Sequence, residues 1–237
     1  MKALRVLGPR ELAVVDLPEP DCAADEMVIR VDAVGVCGTD IEIIEGKMAY
    51  YTSGLAEYPI TLGHEWVGRV EKLGADVVGF ESGDRVVGEV SIGCTTCADC
   101  MSGAYHRCAT RTETGVMARD GGLAEFVVLP ARAVHRISPS VDLKSAALVE
   151  PAAIAYNGVR LAGVTPASRV VIIGDGPIGL LLLQVAQAFG AKRCVMIGAD
   201  ARRLAVADKL GAIAAIDVRA DEWREGLTRA FQGEAPD

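Results

Sequence analysis

The first 140 residues alternate apolar and polar positions in a way that predicts many short strands. Glu26–Val36 and Trp66–Leu73 both follow the period of two that a half-buried strand shows. Shorter apolar runs, bounded by turns such as Ser82-Gly83-Asp84, lie at Arg85–Val90, Ala124–Leu129 and Ala133–Ile137. Short strands separated by glycine-rich turns predict an antiparallel, barrel-like β domain.

The pattern changes near residue 145, where the alanine-rich segment Ser145–Leu161 predicts a helix. Buried strands then alternate with helices. The predicted strands are Arg169–Ile173, Cys194–Ile197 and Ala214–Asp217, and the helices are Pro177–Phe189, Arg202–Leu210 and Trp223–Phe231. This βαβαβ order predicts a parallel sheet. A complete doubly wound domain has about six strands, so we expect residues 151–237 to form only the N-terminal half of one, after a β domain at 1–150.

Composition narrows the possible partners and location. The chain is 51% hydrophobic, ample for a packed core, and its net charge of −8 argues against nucleic acid or an anionic membrane as a partner. We expect no export signal, because Met1-Lys2 leads into a short strand-like run and not into a long apolar segment. We also expect no transmembrane span, because Val170–Phe189, the most apolar stretch, is interrupted by Asp175, Pro177 and Gln184. These features predict a cytoplasmic protein.

Four closely spaced cysteines form the strongest motif: Cys94, Cys97, Cys100 and Cys108. Four thiolates at such spacing can close a tetrahedron around a structural Zn²⁺. An iron–sulfur cluster is the rival, but the bacterial ferredoxin run continues with a three-residue gap and a proline, which this chain lacks. Disulfides are the other alternative, and they suit a secreted protein better than this one.

A second group of candidate ligands is dispersed along the chain. Cys37-Gly38-Thr39-Asp40 follows one strand, Gly63-His64-Glu65 precedes another, and Glu150-Pro151 opens the helical region. Each is weak alone, but together they offer thiolate, imidazole and carboxylate groups for a zinc with an exchangeable fourth position. Asp40 is the natural partner to orient the His64 imidazole.

A glycine-rich loop follows the strand that ends at residue 173. Gly174, Gly176 and Gly179 fit the Gly-x-Gly-x-x-Gly dinucleotide fingerprint, with Pro177 and Ile178 opening the next helix. In this motif the first glycine permits the tight turn, the second lets the pyrophosphate approach, and the third lets helix and strand pack closely.

These five motifs, in this order, resemble those of the medium-chain zinc-dependent alcohol dehydrogenase family, and most of all its polyol branch of sorbitol and threonine dehydrogenases. The resemblance implies a GroES-like, partly open β-barrel catalytic domain followed by a Rossmann domain. It also implies two zinc ions per subunit, NAD or NADP as cofactor, and a homo-oligomer (dimer or tetramer) when full length. Cys37, His64 and Glu65 are the implied catalytic zinc ligands, and Glu150 is a fourth ligand or holds the zinc-bound water.

The resemblance also assigns a proton relay and a cofactor contact. Thr39 is the hydroxyl that bonds the substrate oxygen, and the family's relay histidine is replaced here by Glu42, which accepts the proton itself or leaves it to water. Gly198 stands where an acid would bond the ribose 2′-hydroxyl of NAD. The lack of an acid at this position, with Arg202 and Arg203 nearby, favours NADP, although Asp200 could still reach the ribose and favour NAD.

The implied activity is hydride transfer between NAD(P) and a secondary alcohol or ketone of a polyol, sugar, cyclitol or amino-alcohol. Two alternatives remain open. One is a non-catalytic zinc-binding fragment of such an enzyme, since the predicted sheet is only half present. The other is the zinc-free reductase branch of the superfamily, which the cysteine lobe and the Cys37 group disfavour.

Overall fold

A computed structural model describes residues 1–237, which form two compact units, Met1–Glu150 and Pro151–Asp237. The first unit is rich in short β-strands and the second alternates parallel strands with helices. The predicted fold class, a β domain followed by an α/β domain, is confirmed. No helix is both long enough and apolar enough to cross a membrane.

The first unit contains eleven strands and four short helices, with part of a fifth. The strands are β1 (Lys2–Gly8), β2 (Glu11–Asp16), β3 (Glu26–Val34), β4 (Ile60–Thr61), β5 (Trp66–Leu73), β6 (Arg85–Gly88), β7 (Ser91–Ile92), β8 (Thr112–Thr114), β9 (Ala118–Arg119), β10 (Phe126–Pro130) and β11 (Val134–Arg136). The helices are α1 (Gly38–Ile44), α2 (Ala49–Thr52), α3 (Ala98–Met101), α4 (Leu143–Ala147) and α5 (Val149–Leu161), with 3-10 turns at Tyr105–Arg107 and Ala131–Ala133.

The strands of this unit form three sheets. The largest has the order β10-β3-β5-β6-β11 and is antiparallel throughout, while two three-stranded sheets have the orders β2-β1-β4 and β7-β8-β9. Apolar side chains on one face of the large sheet, among them Ile29, Val70 and Leu129, are fully or almost fully buried in its core. This packing fixes β3 beside β5.

That strand pair positions the first candidate site. Val34, the last residue of β3, pairs with Trp66, the first residue of β5. Because the two strands are antiparallel, the segment that leaves β3 and the segment that enters β5 emerge at the same edge of the sheet. Cys37 lies on the first segment and His64 on the second, so the sheet brings together residues 27 positions apart in the sequence.

The second unit is a parallel sheet with helices between its strands. It contains β12 (Arg169–Ile173), α6 (Pro177–Ala188), β13 (Arg193–Gly198), α7 (Ala201–Lys209), β14 (Ala214–Asp217) and α8 (Trp223–Ala230). The sheet order is β12-β13-β14, and all neighbouring strands are parallel. The carboxyl ends of β12 and β13 therefore lie side by side, which brings the glycine-rich loop next to Gly198.

Local alternation missed several elements. The strand predicted to reach Val36 ends at Val34, and the single helix predicted over Ser145–Leu161 is two helices that meet at Leu148. Asp142 caps the first of these by accepting hydrogen bonds from the N–H groups of Lys144 and Ser145, which moves its start upstream of the predicted position. The hairpin of β1 and β2 and the helix α1 were not predicted.

Candidate metal centres and dinucleotide loop

Cys37, His64 and Glu65 converge at the sheet edge formed by β3 and β5. One ligand atom from each of the three lies within 4.8 Å of the others. His64 is buried, whereas Cys37 and Glu65 are partly accessible. A thiol, an imidazole and a carboxylate so close together have the composition of a three-ligand zinc site.

A buried carboxylate joins the two ligand segments. Asp40 is 1% exposed and accepts a hydrogen bond from the backbone N–H of Cys37 at 2.8 Å, which caps helix α1. It also accepts one from the N–H of Gly63 at 3.4 Å. A single side chain therefore holds both the residue that carries the thiol and the loop that carries the imidazole.

The His64 ring supports metal binding at this place. Its Nδ1 atom is buried without a hydrogen-bond partner and lies 3.7 Å from Asp40 Oδ1, beyond hydrogen-bond distance. A buried, unpaired ring nitrogen costs free energy, and coordination by one ring nitrogen with a hydrogen bond from the other would remove that cost. The residues present therefore fit a metal ion.

Gly35 makes room for the carboxylate of the group. Its N–H donates to the Glu65 carbonyl at 2.7 Å, and a Cβ at this position would overlap the Glu65 carboxylate. Any side chain here would push Glu65 away from Cys37 and His64.

The remaining predicted catalytic residues lie around this group. Glu150 is outside the three-residue cluster. Loss of hydration raises the pKa of its carboxyl, His64 lowers this pKa by a smaller amount, and Glu65 raises it further. Thr39 Oγ1 lies 3.7 Å from Cys37 Sγ and is partly buried. Glu42 is exposed one turn further along α1.

The four cysteines of the lobe also converge, with all four sulfurs within 4.8 Å of one another. None forms a disulfide, and Cys94 Sγ and Cys100 Sγ are 4.0 Å apart. That separation is close to the edge of a tetrahedron with Zn–S bonds of about 2.3 Å, whereas a disulfide bond is about 2.05 Å long. A Cβ at Gly93 would lie 2.5 Å from Cys100 Sγ, so a glycine is needed for the close approach.

Hydrogen bonds within the lobe stabilise the Cys94 thiolate even without a metal ion. Hydrogen bonds from the hydroxyl and backbone N–H of Thr96, and from the N–H of Cys97, lower the pKa of Cys94 to about 5. Loss of hydration raises the pKa of Cys100 to about 12. A cation among the sulfurs would offset that cost, because zinc binds the deprotonated thiolate.

The glycine-rich loop has the backbone geometry that the fingerprint requires. Gly174 has a φ of +111°, and a Cβ at Gly179 would overlap the carbonyl oxygen of Gly174. Gly174 and Gly176 face open space, where a Cβ would contact nothing within 4 Å. Pro177 begins α6 after Gly176 as N-cap, and Ile178 is exposed beside it. The loop therefore fits a pyrophosphate at the helix N-terminus.

One residue of this loop has a contact that the sequence did not predict. Asp175 is only 9% exposed, and its Oδ2 accepts hydrogen bonds from the N–H of Ala199 at 2.8 Å and of Asp200 at 2.6 Å. A Cβ at Gly198 would overlap this carboxylate. In the sequence, the signal for this contact was an acidic residue at the first variable position of the fingerprint. Arg203 is exposed on α7.

Comparison with known proteins supports the motifs. The family profile of the alcohol dehydrogenase GroES-like domain matches residues 23–139. The chain is 33% identical to the sorbitol dehydrogenase of Bacillus subtilis, with 96% of this chain and 64% of that protein aligned. It is also 33% identical to the L-threonine 3-dehydrogenase of Shewanella woodyi, with 98% and 68% aligned.

A solved structure agrees with these relatives. The crystal structure of a zinc-binding dehydrogenase from Sinorhizobium meliloti bound to NADP superposes with a TM-score of 0.85 at 33% identity, over 91% of this chain and 61% of that one. The chain thus spans less than two thirds of the length of this structure and of the Bacillus sorbitol dehydrogenase. With the matching profile and the aligned threonine dehydrogenase, these comparisons confirm the predicted resemblance: the chain belongs to the medium-chain zinc-dependent alcohol and polyol dehydrogenase family.

Proposed function

We propose that the protein is a zinc-dependent oxidoreductase that transfers a hydride between NAD(P) and a secondary alcohol or ketone of a polyol, sugar, cyclitol or amino-alcohol. The observation that carries the proposal is the convergence of Cys37, His64 and Glu65 within 4.8 Å at one sheet edge. A partly accessible three-ligand site keeps a position open for substrate, as catalytic zinc sites do.

Each metal site has its own role in this proposal. Zn²⁺ held by Cys37, His64 and Glu65 would supply a Lewis acid that lowers the pKa of an alcohol oxygen. Glu150 would be a fourth ligand or hold the bound water, and the electrostatic effects of His64 and Glu65 on the pKa of its carboxyl support either role. A second zinc in the four-cysteine lobe would be structural, because four thiolates leave no open position.

Thr39 and Glu42 form the proposed proton route. Thr39 lies beside Cys37 and is partly buried, so its hydroxyl can accept the proton of a substrate hydroxyl and donate its own. Glu42 lies three residues further along α1, and side chains at that spacing share a helix face. Its exposed carboxylate would take the proton or deliver it to water.

The second unit would bind the nicotinamide dinucleotide at its glycine-rich loop, with Gly174, Gly176 and Gly179 around the pyrophosphate and Pro177 and Ile178 at the helix start. Gly198 and Arg203 lie where the fingerprint places the adenosine ribose. The lean toward NADP depends on the missing acid at Gly198 and on the nearby Arg202 and Arg203.

The test is hydride transfer by the zinc-loaded protein as its gene encodes it, with a panel of secondary alcohols and both cofactors. We expect reduction of NAD or NADP with at least one polyol or amino-alcohol. Absence of turnover with either cofactor, in a preparation that contains two zinc ions per chain, would refute the proposal.

Two glycines of the loop give a matched pair of variants. We expect Gly179→Ala to lower stability by about 1–3 kcal/mol, because its Cβ would overlap the Gly174 carbonyl oxygen. Gly176→Ala should leave stability nearly unchanged, since its Cβ would meet open space at an ordinary φ of −74°, but it should weaken dinucleotide binding. Thermal unfolding and NADH titration measure the two effects. Equal effects of both variants on stability would contradict this account of the loop.

We also propose that the protein assembles as a homodimer or homotetramer, by analogy with its family. Size-exclusion chromatography with light scattering tests this, and a monomer at micromolar concentration would contradict it. The cytoplasmic location stays a prediction.

A further inference from the structure

The carboxyl end of β13 has an unusual arrangement of charge. Members of the dinucleotide-binding fold place an acid at this point to bond the ribose 2′-hydroxyl. In this chain the corresponding residue is Gly198, which carries no side chain. The space that a side chain would fill is taken by Asp175, whose carboxylate reaches over from the glycine-rich loop.

The Asp175 carboxylate is fixed there by the backbone. Both of its hydrogen bonds, from Ala199 N–H and Asp200 N–H, end on Oδ2, while Oδ1 has no partner within the protein. These N–H groups, with the charge of Arg203, lower the pKa of Asp175, so the group carries a negative charge at neutral pH. One oriented oxygen is thus left free to accept a hydrogen bond.

The Asp200 carboxylate already has other partners and is not available to bond the ribose 2′-hydroxyl. It caps helix α7 by accepting from the N–H groups of Arg202 at 2.9 Å and Arg203 at 3.2 Å, and it pairs with the Arg202 guanidinium at 3.3 Å. Of the five N–H groups at residues 199–203, four therefore already donate to Asp175 or Asp200. Few backbone donors are left at this turn for a phosphate, and two carboxylates repel one.

We infer that Asp175 replaces the missing strand-end acid, accepts the 2′-hydroxyl of the adenosine ribose and excludes a 2′-phosphate, so that the protein binds NAD in preference to NADP. This inference rests on the proposed binding of a dinucleotide at the loop. The sequence alone favours NADP, because Gly198 supplies no acid and Arg202 and Arg203 lie nearby. The inference reverses this preference, because the acidic side chain comes from the glycine-rich loop and not from the end of β13.

The test is titration of the purified protein with NADH and with NADPH, followed by nicotinamide fluorescence and calorimetry, without substrate. We expect the wild type to bind NADH at least about tenfold more tightly, as expected for one hydrogen bond to a charged group. Asp175→Asn keeps the shape and an oxygen for the two N–H groups but removes the charge. We expect it to lower the NADH-to-NADPH preference by about tenfold.

A double variant and a control complete the design. Asp175→Gly with Gly198→Asp moves the acid to the strand end, and the glycine is needed because Cβ atoms at both positions would be 2.5 Å apart. This double variant should recover the preference for NADH. Asp208→Asn removes an equal charge from the exposed last turn of α7 and should leave the preference unchanged.

The outcomes separate the two proposals. Equal or tighter binding of NADPH by the wild type overturns the inference but leaves dinucleotide binding intact, as does an unchanged preference in folded Asp175→Asn. Binding of neither cofactor by the wild type overturns the proposed function, and this inference with it. If Asp175→Asn fails to fold, the wild-type preference and the double variant still decide the question.

Discussion

Replacing His64 with glutamine is expected to reduce hydride transfer by at least about 10³-fold, because the bound metal supplies several kcal/mol of charge stabilisation in the transition state. The substitution removes the imidazole of the group and leaves Cys37 and Glu65 as its two remaining candidate ligands. The zinc content should fall from two ions to one per chain, since the four-cysteine lobe is unaffected. Turnover and atomic spectroscopy on the same preparation measure both changes.

His135→Gln is the matched control for this variant. His135 is exposed on β11, its Nε2 lies 2.9 Å from the Glu89 carboxylate, and it belongs to neither candidate ligand group. An exposed ion pair contributes little, so activity and zinc content should both stay at the wild-type level. A His64→Gln protein that keeps two zinc ions would show that Cys37, His64 and Glu65 do not form a metal site.

The sequence predicted elements well where hydrophobic alternation is long and regular. The strand at Trp66–Leu73 and the βαβαβ order of the second unit agree with the structure. Short elements such as α1 and β4 were missed because seven and two residues give no usable periodicity. The start of α4 depends on the cap at Asp142, and the helical pattern gives no sign of the break between α4 and α5 at Leu148.

The candidate sites also differ in how far the sequence predicts them. Spacing alone brings the four cysteines together in the structure, because the ligands are neighbours in sequence. The convergence of Cys37 with His64 depends on the register of β3 and β5, which only the ordered family motifs could suggest. The contact of Asp175 with the end of β13 was not predictable from a fingerprint that leaves that position variable, since it depends on how two parallel strand ends align.

The four-cysteine lobe carries the second large expected effect. Residues 93–111 contain only a four-residue helix and a 3-10 turn, and all of residues 101–107 except Ala104 are exposed. So small a segment buries too little apolar surface to order itself, and we therefore expect a bound zinc ion to supply its order. We expect Cys100→Ser to lose one zinc and to unfold the lobe locally, seen as fast amide exchange and proteolysis within residues 93–111.

Cys22→Ser provides the control, because Cys22 is a free cysteine outside both ligand groups and its substitution should change neither zinc content nor exchange.

A strong chelator should produce the Cys100→Ser exchange pattern in the wild type and add nothing to it in the variant, since apparent zinc affinity is folding free energy in such lobes. Serine is smaller than cysteine, so it adds no clash with the neighbouring Gly93, and a purely steric effect would leave the zinc count at two. A lobe that stays protected in the chelated wild type would show that packing and not the metal holds it together.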